Sequence, residues 1–274
     1  MKRQASGIGR MMVRAALCLA GVAGLAGVAL AQDSQGFDWP DGKKAAIALT
    51  YDDSLDTHLD TALPALDRYG FKATFYLTIE RPAFANRIDE WRAAAQEGHE
   101  LGNHTIFHPC RASLPGRDWV QPGADLDTYT VDRIVRELAV TNKVLSLFDG
   151  RDRRSFGYPC GDSTAGGDSY INAIRPLFVG ARGVSAYPAD APYDPYQVPT
   201  FGPDGVSGEV LIDYAEQILE EGGFGTFTFH GVGGDYLSVS AEAHDELLTW
   251  LDSHRGEIWI GTFADIVSYT KEAR

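Results

Sequence analysis

Two adjacent acids, Asp52 and Asp53, follow the apolar run "AAIALTY" at 45–51. Like charges side by side at the end of a buried strand are costly unless something nearby needs them. Further along, His104 and His108 stand four residues apart, which places both imidazoles on one face if that segment turns helically. The spacing alone is a weak signal. With an acid on the same rim it becomes the donor set of a catalytic zinc or similar divalent site, two His and one carboxylate with an open position. A cation there would neutralise one of the two acids and leave the other ionised as a base.

These residues can act together only if the fold gathers them. Seven strand-like runs, "AAIALTY", "KATFYLT", "HELGN", "RSFGYP", "FVGARGVS", "GTFTFH" and "EIWIGTF", alternate with helix-like runs. The longest helix is expected over "DTYTVDRIVRELAVTNKVLSLFDG", closed by Gly150. Such alternation predicts a parallel α/β sheet or barrel, and no composition break suggests a second domain. Ligands in these folds collect at the C-terminal strand ends. The first strand ends in Asp52 and Asp53, the third in the segment holding His104 and His108, the fourth in Tyr158-Pro159-Cys160-Gly161, and the sixth in His230. Two acids and three histidines therefore share one rim.

The first 31 residues read as a secretory leader, with Lys2, Arg3, Arg10 and Arg14, an Ala/Gly/Leu-rich core holding Cys18, and Ala29-Leu30-Ala31 before Gln32. A retained membrane span is the competing reading, but the run is Gly-rich and ends in a cleavage site. Residues 32–274 would then be one exported domain, periplasmic or extracellular, with no membrane insertion after cleavage. The chain's formal charge of −14 becomes −18 once those four basic residues leave, with 20 Lys and Arg against 38 Asp and Glu. So acidic a chain repels phosphate backbones and anionic lipid heads, so nucleic acid is not an expected partner. Cys110 and Cys160 remain, and an exported protein permits them to form a disulfide if their Cα separation allows it.

At this point the residues resemble a known family, the polysaccharide deacetylases, also called the NodB-homology or carbohydrate esterase family 4 domain. "TYDDS" is similar to the family's T-F-D-D motif, with Tyr51 for Phe. "GHELGNHTIFH" resembles the H-[ST]-x-x-H metal motif and the run before it, and "FTFH" resembles the last motif. The resemblance implies a distorted parallel (β/α)7-type barrel of NodB-like form. It implies Asp53, His104 and His108 as metal ligands, Asp52 as general base, His230 as general acid and the backbone N–H of Cys160 as oxyanion donor. The implied cofactor is a divalent metal, Zn2+ first and Co2+ or Ni2+ as alternatives. The implied activity is removal of N-acetyl groups from glycans resembling chitooligosaccharides or peptidoglycan. Its alternatives are an acetylxylan-type O-deacetylase and a non-catalytic carbohydrate-binding pseudoenzyme.

Two motifs depart from the pattern. The family's R-x-P-[YF]-G reads Gly157-Tyr158-Pro159-Cys160-Gly161, without the Arg that pairs with the base. Arg153, Arg154 and Arg182 are the candidates to replace it. The fourth motif, an acid followed closely by Trp, is absent, and Asp194, Asp204 or Asp235 would have to tune His230. His99 is expected to be structural, and His58, His244 and His254 to be solvated on helices. Tyr187, Tyr193 and Tyr196 are expected to pack rather than stack on sugars, Trp39, Trp91, Trp250 and Trp259 to be core, and Trp119 to line a cleft.

Overall fold

The strand β1 (Ala45–Asp52) is buried along its whole length, which is why it reads as an unbroken apolar run rather than an alternating one. The protein's structure, a computed structural model, describes residues 37–184 and 193–272, so the leader and Tyr187 lie outside the described residues. The other parallel strands are β2 (Thr74–Leu77), β3 (Glu100–Asn103), β4 (Phe156–Gly157), β7 (Ala181–Arg182), β8 (Phe224–Phe229) and β9 (Ile258–Gly261). A small antiparallel pair, β5 (Thr164–Ala165) and β6 (Asp168–Ser169), was not expected, because two-residue strands carry no periodicity.

The large sheet has seven parallel strands in the order β7-β4-β3-β2-β1-β8. The last strand, β9, pairs with the first half of β1, while β2 takes the second half. The chain at 198–201 lies between β7 and β8. Val198 N–H donates to Ala181 O (3.0 Å), and Thr228 N–H donates to Phe201 O (2.8 Å). The sheet therefore curls into a distorted barrel, its rim formed by the C-terminal strand ends.

Helices α1 (Leu63–Tyr69), α2 (Pro82–Asn86), α3 (Ile88–Gln96), α4 (Val131–Asp149), α5 (Ile171–Ile174), α6 (Gly208–Glu221), α7 (Ala241–Ser253) and α8 (Phe263–Glu272) are the α-helices among the described residues, and a π-helical turn at His58–Ala62 leads into α1. The longest, α4, begins at Val131 rather than at Asp127. Asp125 caps a short 3-10 turn, and Thr130 then caps α4 by accepting from Arg133 N–H at 3.1 Å. Trp39 and Trp91 are core, while Trp250 and Trp259 are only half-buried. No helix among the described residues is long and apolar enough to cross a membrane.

Candidate active site and metal centre

Immediately after β1 the chain turns left-handed, at Asp53 (φ 82°) and Ser54 (φ 54°). Thr105, His108, Cys160, Asp235 and Leu237 on neighbouring rim loops also have positive φ. Only Asp41 among the described non-glycine residues does so elsewhere. Left-handed backbone costs about 1–3 kcal/mol per residue, and its concentration on one rim is the pattern of a functional site.

Asp53 Oδ1 lies 3.4 Å from His104 Nε2 and 3.1 Å from His108 Nε2. His104 Nδ1 is 2.7 Å from Gly157 O, and a carbonyl can only accept, so Nδ1 carries the proton and Nε2 presents a lone pair. Asp53 Oδ1 itself is buried and has no hydrogen-bond donor among the described residues. Several lone pairs thus face a common point, and ligands of a tetrahedral zinc at about 2.0–2.2 Å would lie about 3.3–3.5 Å apart. The three residues fit a divalent cation. Tyr236 OH donates to the other oxygen, Asp53 Oδ2, at 2.6 Å, directing Oδ1 toward the histidines.

Asp52 has a different partner. Arg182 Nη2 donates to both of its oxygens, at 2.5 and 2.6 Å, while Nη1 is held by Gly183 O (2.7 Å) and Thr228 Oγ1 (2.6 Å). Burial alone would raise the Asp52 carboxyl, but Arg182 and His104 outweigh it and hold the group below its ordinary value. Burial is likewise overcome at Asp53, chiefly by His108, which holds it well below the usual carboxylate range.

Of the three arginines proposed for this role, Arg154 is bound to Asp149 and Leu101 O, and Arg153 is exposed. Arg182 takes it through strand pairing, because Gly157 and Arg182 face each other across β4 and β7. A Cβ at Gly157 would meet Arg182 Nη2 at 3.1 Å and His104 Nδ1 at 3.2 Å. Where the family motif has its Arg, glycine leaves room for a guanidinium supplied by the next strand.

The loop carrying His108 is tied from several sides. Ile106 and Phe107 N–H both donate to Glu137 Oε1 of α4, at 3.1 Å each, and His108 N–H donates to Thr105 Oγ1 at 2.9 Å. Two residues on, Cys110 is joined to Cys160 by a disulfide with Cα atoms 5.9 Å apart. The bridge fastens the His108 loop to the turn holding the Cys160 N–H. Glu137 and Tyr236 carried no motif signal in the sequence; only their structural neighbours reveal their roles.

His230 Nε2 lies 3.9 Å from Asp53 Oδ2. Burial lowers its pKa, and the two nearby carboxylates only partly restore it. None of the three acids proposed to tune it contacts the imidazole among the described residues. Asp194 binds Arg175, Asp235 accepts from Thr57, and Asp204 is exposed.

His58 and His244 are fully buried, contrary to the expectation that helical histidines would be solvated. His58 Nδ1 accepts from Leu55 N–H (3.3 Å), so its Nε2–H donates to His230 O at 3.0 Å and braces that residue's backbone. His244 Nε2 is hydrogen-bonded to Tyr51 OH at 2.7 Å, satisfying the hydroxyl that Tyr51 introduces where the motif has Phe. His99 is structural as expected, its Nδ1 accepting from Ala73 N–H at 3.2 Å. Tyr196 packs in the core.

Asp52, Asp53, His104, His108, Cys160 and His230 all line one cleft of about 520 Å³, together with Arg81, Arg117, Trp119, Val184, Tyr236 and Leu237. Trp119 keeps 54% of its surface exposed.

Residues 40–173 match the family model described as "Polysaccharide deacetylase". That segment holds Asp52, Asp53, His104, His108 and both disulfide cysteines, while Arg182 and His230 lie beyond it. A gellan lyase of Bacillus sp is 25% identical over 261 residues, covering 85% of this chain and 10% of that protein. A peptidoglycan-N-acetylglucosamine deacetylase of Bacillus cereus is 41% identical over 73 residues, 26% of each chain. The chain thus spans 10% and 26% of the lengths of these relatives. Among solved structures, a Mycobacterium smegmatis protein assigned as a polysaccharide deacetylase superposes with TM-score 0.61 at 16% identity, covering 89% of this chain and 95% of that one. A family 4 acetyl xylan esterase of Clostridium thermocellum, in complex with a cobalt ion, gives TM-score 0.52 at 21% identity over 82% and 92%.

Proposed function

Because the chain belongs to the polysaccharide deacetylase family, matched over residues 40–173, we propose that it is a metal-dependent hydrolase removing N-acetyl groups from amino-sugar polymers or oligosaccharides. The observation that carries this reading is the pairing of two unlike carboxylates. Asp53 faces two imidazoles, while Asp52, beside it, is held ionised by Arg182.

A divalent cation held by Asp53, His104 and His108 would supply Lewis acidity, acidifying water and polarising a carbonyl. Asp52 accepts the proton of the attacking water, and Arg182 keeps the carboxylate ionised and oriented for it. As the acetyl carbonyl becomes tetrahedral, the Cys160 N–H donates to the oxygen that gains negative charge. His230 delivers a proton to the departing nitrogen, so that acetate and a free amine leave together. Zinc is the proposed ion, with cobalt or nickel as alternatives by ligand type.

The export leader at 1–31 and a single catalytic domain over 32–274 belong to the same proposal, and the disulfide supports an oxidising compartment. A second reading, an O-deacetylase of acetylxylan type, draws support from His230. With none of Asp194, Asp204 and Asp235 at its imidazole, Asp53 Oδ2 no nearer than 3.9 Å, and its pKa lowered by burial, it is better matched to an oxygen leaving group, which needs less help from an acid. The pseudoenzyme reading is weaker, since the base, the three proposed ligands and His230 all line one cleft.

The test is acetate release from chitooligosaccharides, peptidoglycan and acetylxylan, by metal-stripped protein and after adding zinc. Zinc-dependent release from an N-acetylated glycan, lost in Asp52→Asn with zinc binding retained, is the expected result. Release from acetylxylan alone would establish the ester reading, and zinc-loaded protein releasing acetate from none of them would overturn the hydrolase assignment.

A further inference from the structure

Arg81 lines the active-site cleft and also an adjoining cavity of about 300 Å³, so it stands where the two meet, with His108 and Trp119 common to both. Among the described residues it makes no ion pair. The other arginine of the cleft, Arg117, is occupied by Asp162 Oδ2 (3.2 Å) and Cys160 O (3.3 Å). Among the described residues Arg81 Nη2 donates only to Tyr236 OH, at 3.4 Å, and Tyr236 in turn donates to Asp53 Oδ2 at 2.6 Å. A neutral phenol therefore links the guanidinium to the proposed metal ligand through two hydrogen bonds without neutralising it. Glu80, on the wall of the second cavity, is exposed and is not paired with Arg81.

This arrangement stands out on a chain of formal charge −14. Its overall field repels polyanions, and screening confines charge recognition to about 8–10 Å, so an anion could be held here only by a local cation. A guanidinium presents a planar fork that fits a carboxylate bidentately. Exposed Trp119 beside it offers a face on which a sugar ring can lie.

We propose that Arg81 forms a specificity subsite for an anionic substituent, a carboxylate first, on the sugar next to the one in the reactive cleft. The preferred glycan then alternates an N-acetylated amino sugar with an acidic sugar. The inference rests on the glycan reading of the cleft, but not on its catalytic competence.

The test compares an oligosaccharide alternating glucuronate with N-acetylglucosamine against the same oligosaccharide after carboxyl reduction. Binding to zinc-loaded protein is read by calorimetry, and acetate release is measured in parallel. Wild type should bind the carboxylated form about ten-fold more tightly or better, as expected of a charge-assisted contact. Arg81→Gln should lose that ratio and Arg81→Lys retain part of it, with folding checked by circular dichroism and zinc stoichiometry. A 6-phosphorylated chitooligosaccharide forms a third arm. Arg81-dependent preference for it as well would widen the subsite to anions generally. Equal binding of the carboxylated and reduced forms, or a preference that survives Arg81→Gln, would overturn the subsite even if acetate is released. A preference dependent on Arg81 without acetate release would uphold it while removing the deacetylase reading.

Discussion

Arg182 and Gly157 act as one unit split across two strands. Removing one member of a buried ion pair leaves the other charge desolvated, at a cost of about 3–5 kcal/mol. Arg182→Lys should fold, because a charge remains beside Asp52, but the ammonium cannot hold Gly183 O, Thr228 Oγ1 and both Asp52 oxygens as the fork does. Its expected phenotype is normal zinc binding with kcat on an acetylated glycan lowered about 10²-fold, the lower range for misplacing a general base. The exchange Arg182→Ala with Gly157→Arg should recover part of the rate lost in Arg182→Ala, since the space facing His104 would again hold a guanidinium. Wild-type kcat in Arg182→Lys would show that Asp52 needs no oriented partner. This residue explains why the site was only partly legible in the sequence. Asp52, Asp53, His104 and His108 stand in short local motifs, whereas Arg182 reaches Asp52 across 130 positions through strand pairing that no local pattern reveals.

At the scale of elements, β1, β2 and β8 were readable because they are buried, mostly apolar runs, and the two-residue strands β4 and β7 only because each lies inside a longer apolar stretch of sequence. The elements that were missed are too short for periodicity. The helix α2 has five residues and the β5–β6 pair two residues in each strand. The loop after β3 belongs with them, because its shape comes from Glu137 on a distant helix and from the Cys110–Cys160 bridge rather than from its own residues. Closing a loop with sequence separation 50 restricts the unfolded chain by about 4 kcal/mol in the entropic model. Reduction should therefore lower the melting temperature. It should also weaken zinc, because His108 is two residues from one end of the bridge, and slow acetate release, because Cys160 is the other end. Cys110→Ser with Cys160→Ser should reproduce all three effects. A reduced protein that melts earlier but binds zinc as before would make the bridge a staple for the fold alone, with no hold on His108.

For the whole molecule, the buried histidines set a lower pH limit on stability. Burial pushes His58, His99 and His244 down to about 4 from the ordinary 6.5. A histidine whose folded pKa is depressed binds its proton more readily in the unfolded chain, so folding stability is complete above pH 6.5 and falls as the pH drops toward 4. At pH 5 each group has titrated through about 1.5 units in the unfolded state alone, a loss of about 2 kcal/mol. Three together lose about 6 kcal/mol, against the 5–15 kcal/mol that typically holds a domain together. The carboxylates act in a lower window. Asp127, held at about 2 by Arg111 and Ser113, loses its contribution only below the ordinary carboxylate value. Urea unfolding should therefore give a free energy that is flat above about pH 7 and falls steeply between 6 and 4. His244→Gln can still face the Tyr51 hydroxyl but cannot titrate, so it should be less stable than wild type near neutrality yet lose less on acidification. A parallel pH slope in that variant would show that the histidine beneath Tyr51 carries none of the acid sensitivity, leaving His58 and His99 to account for it.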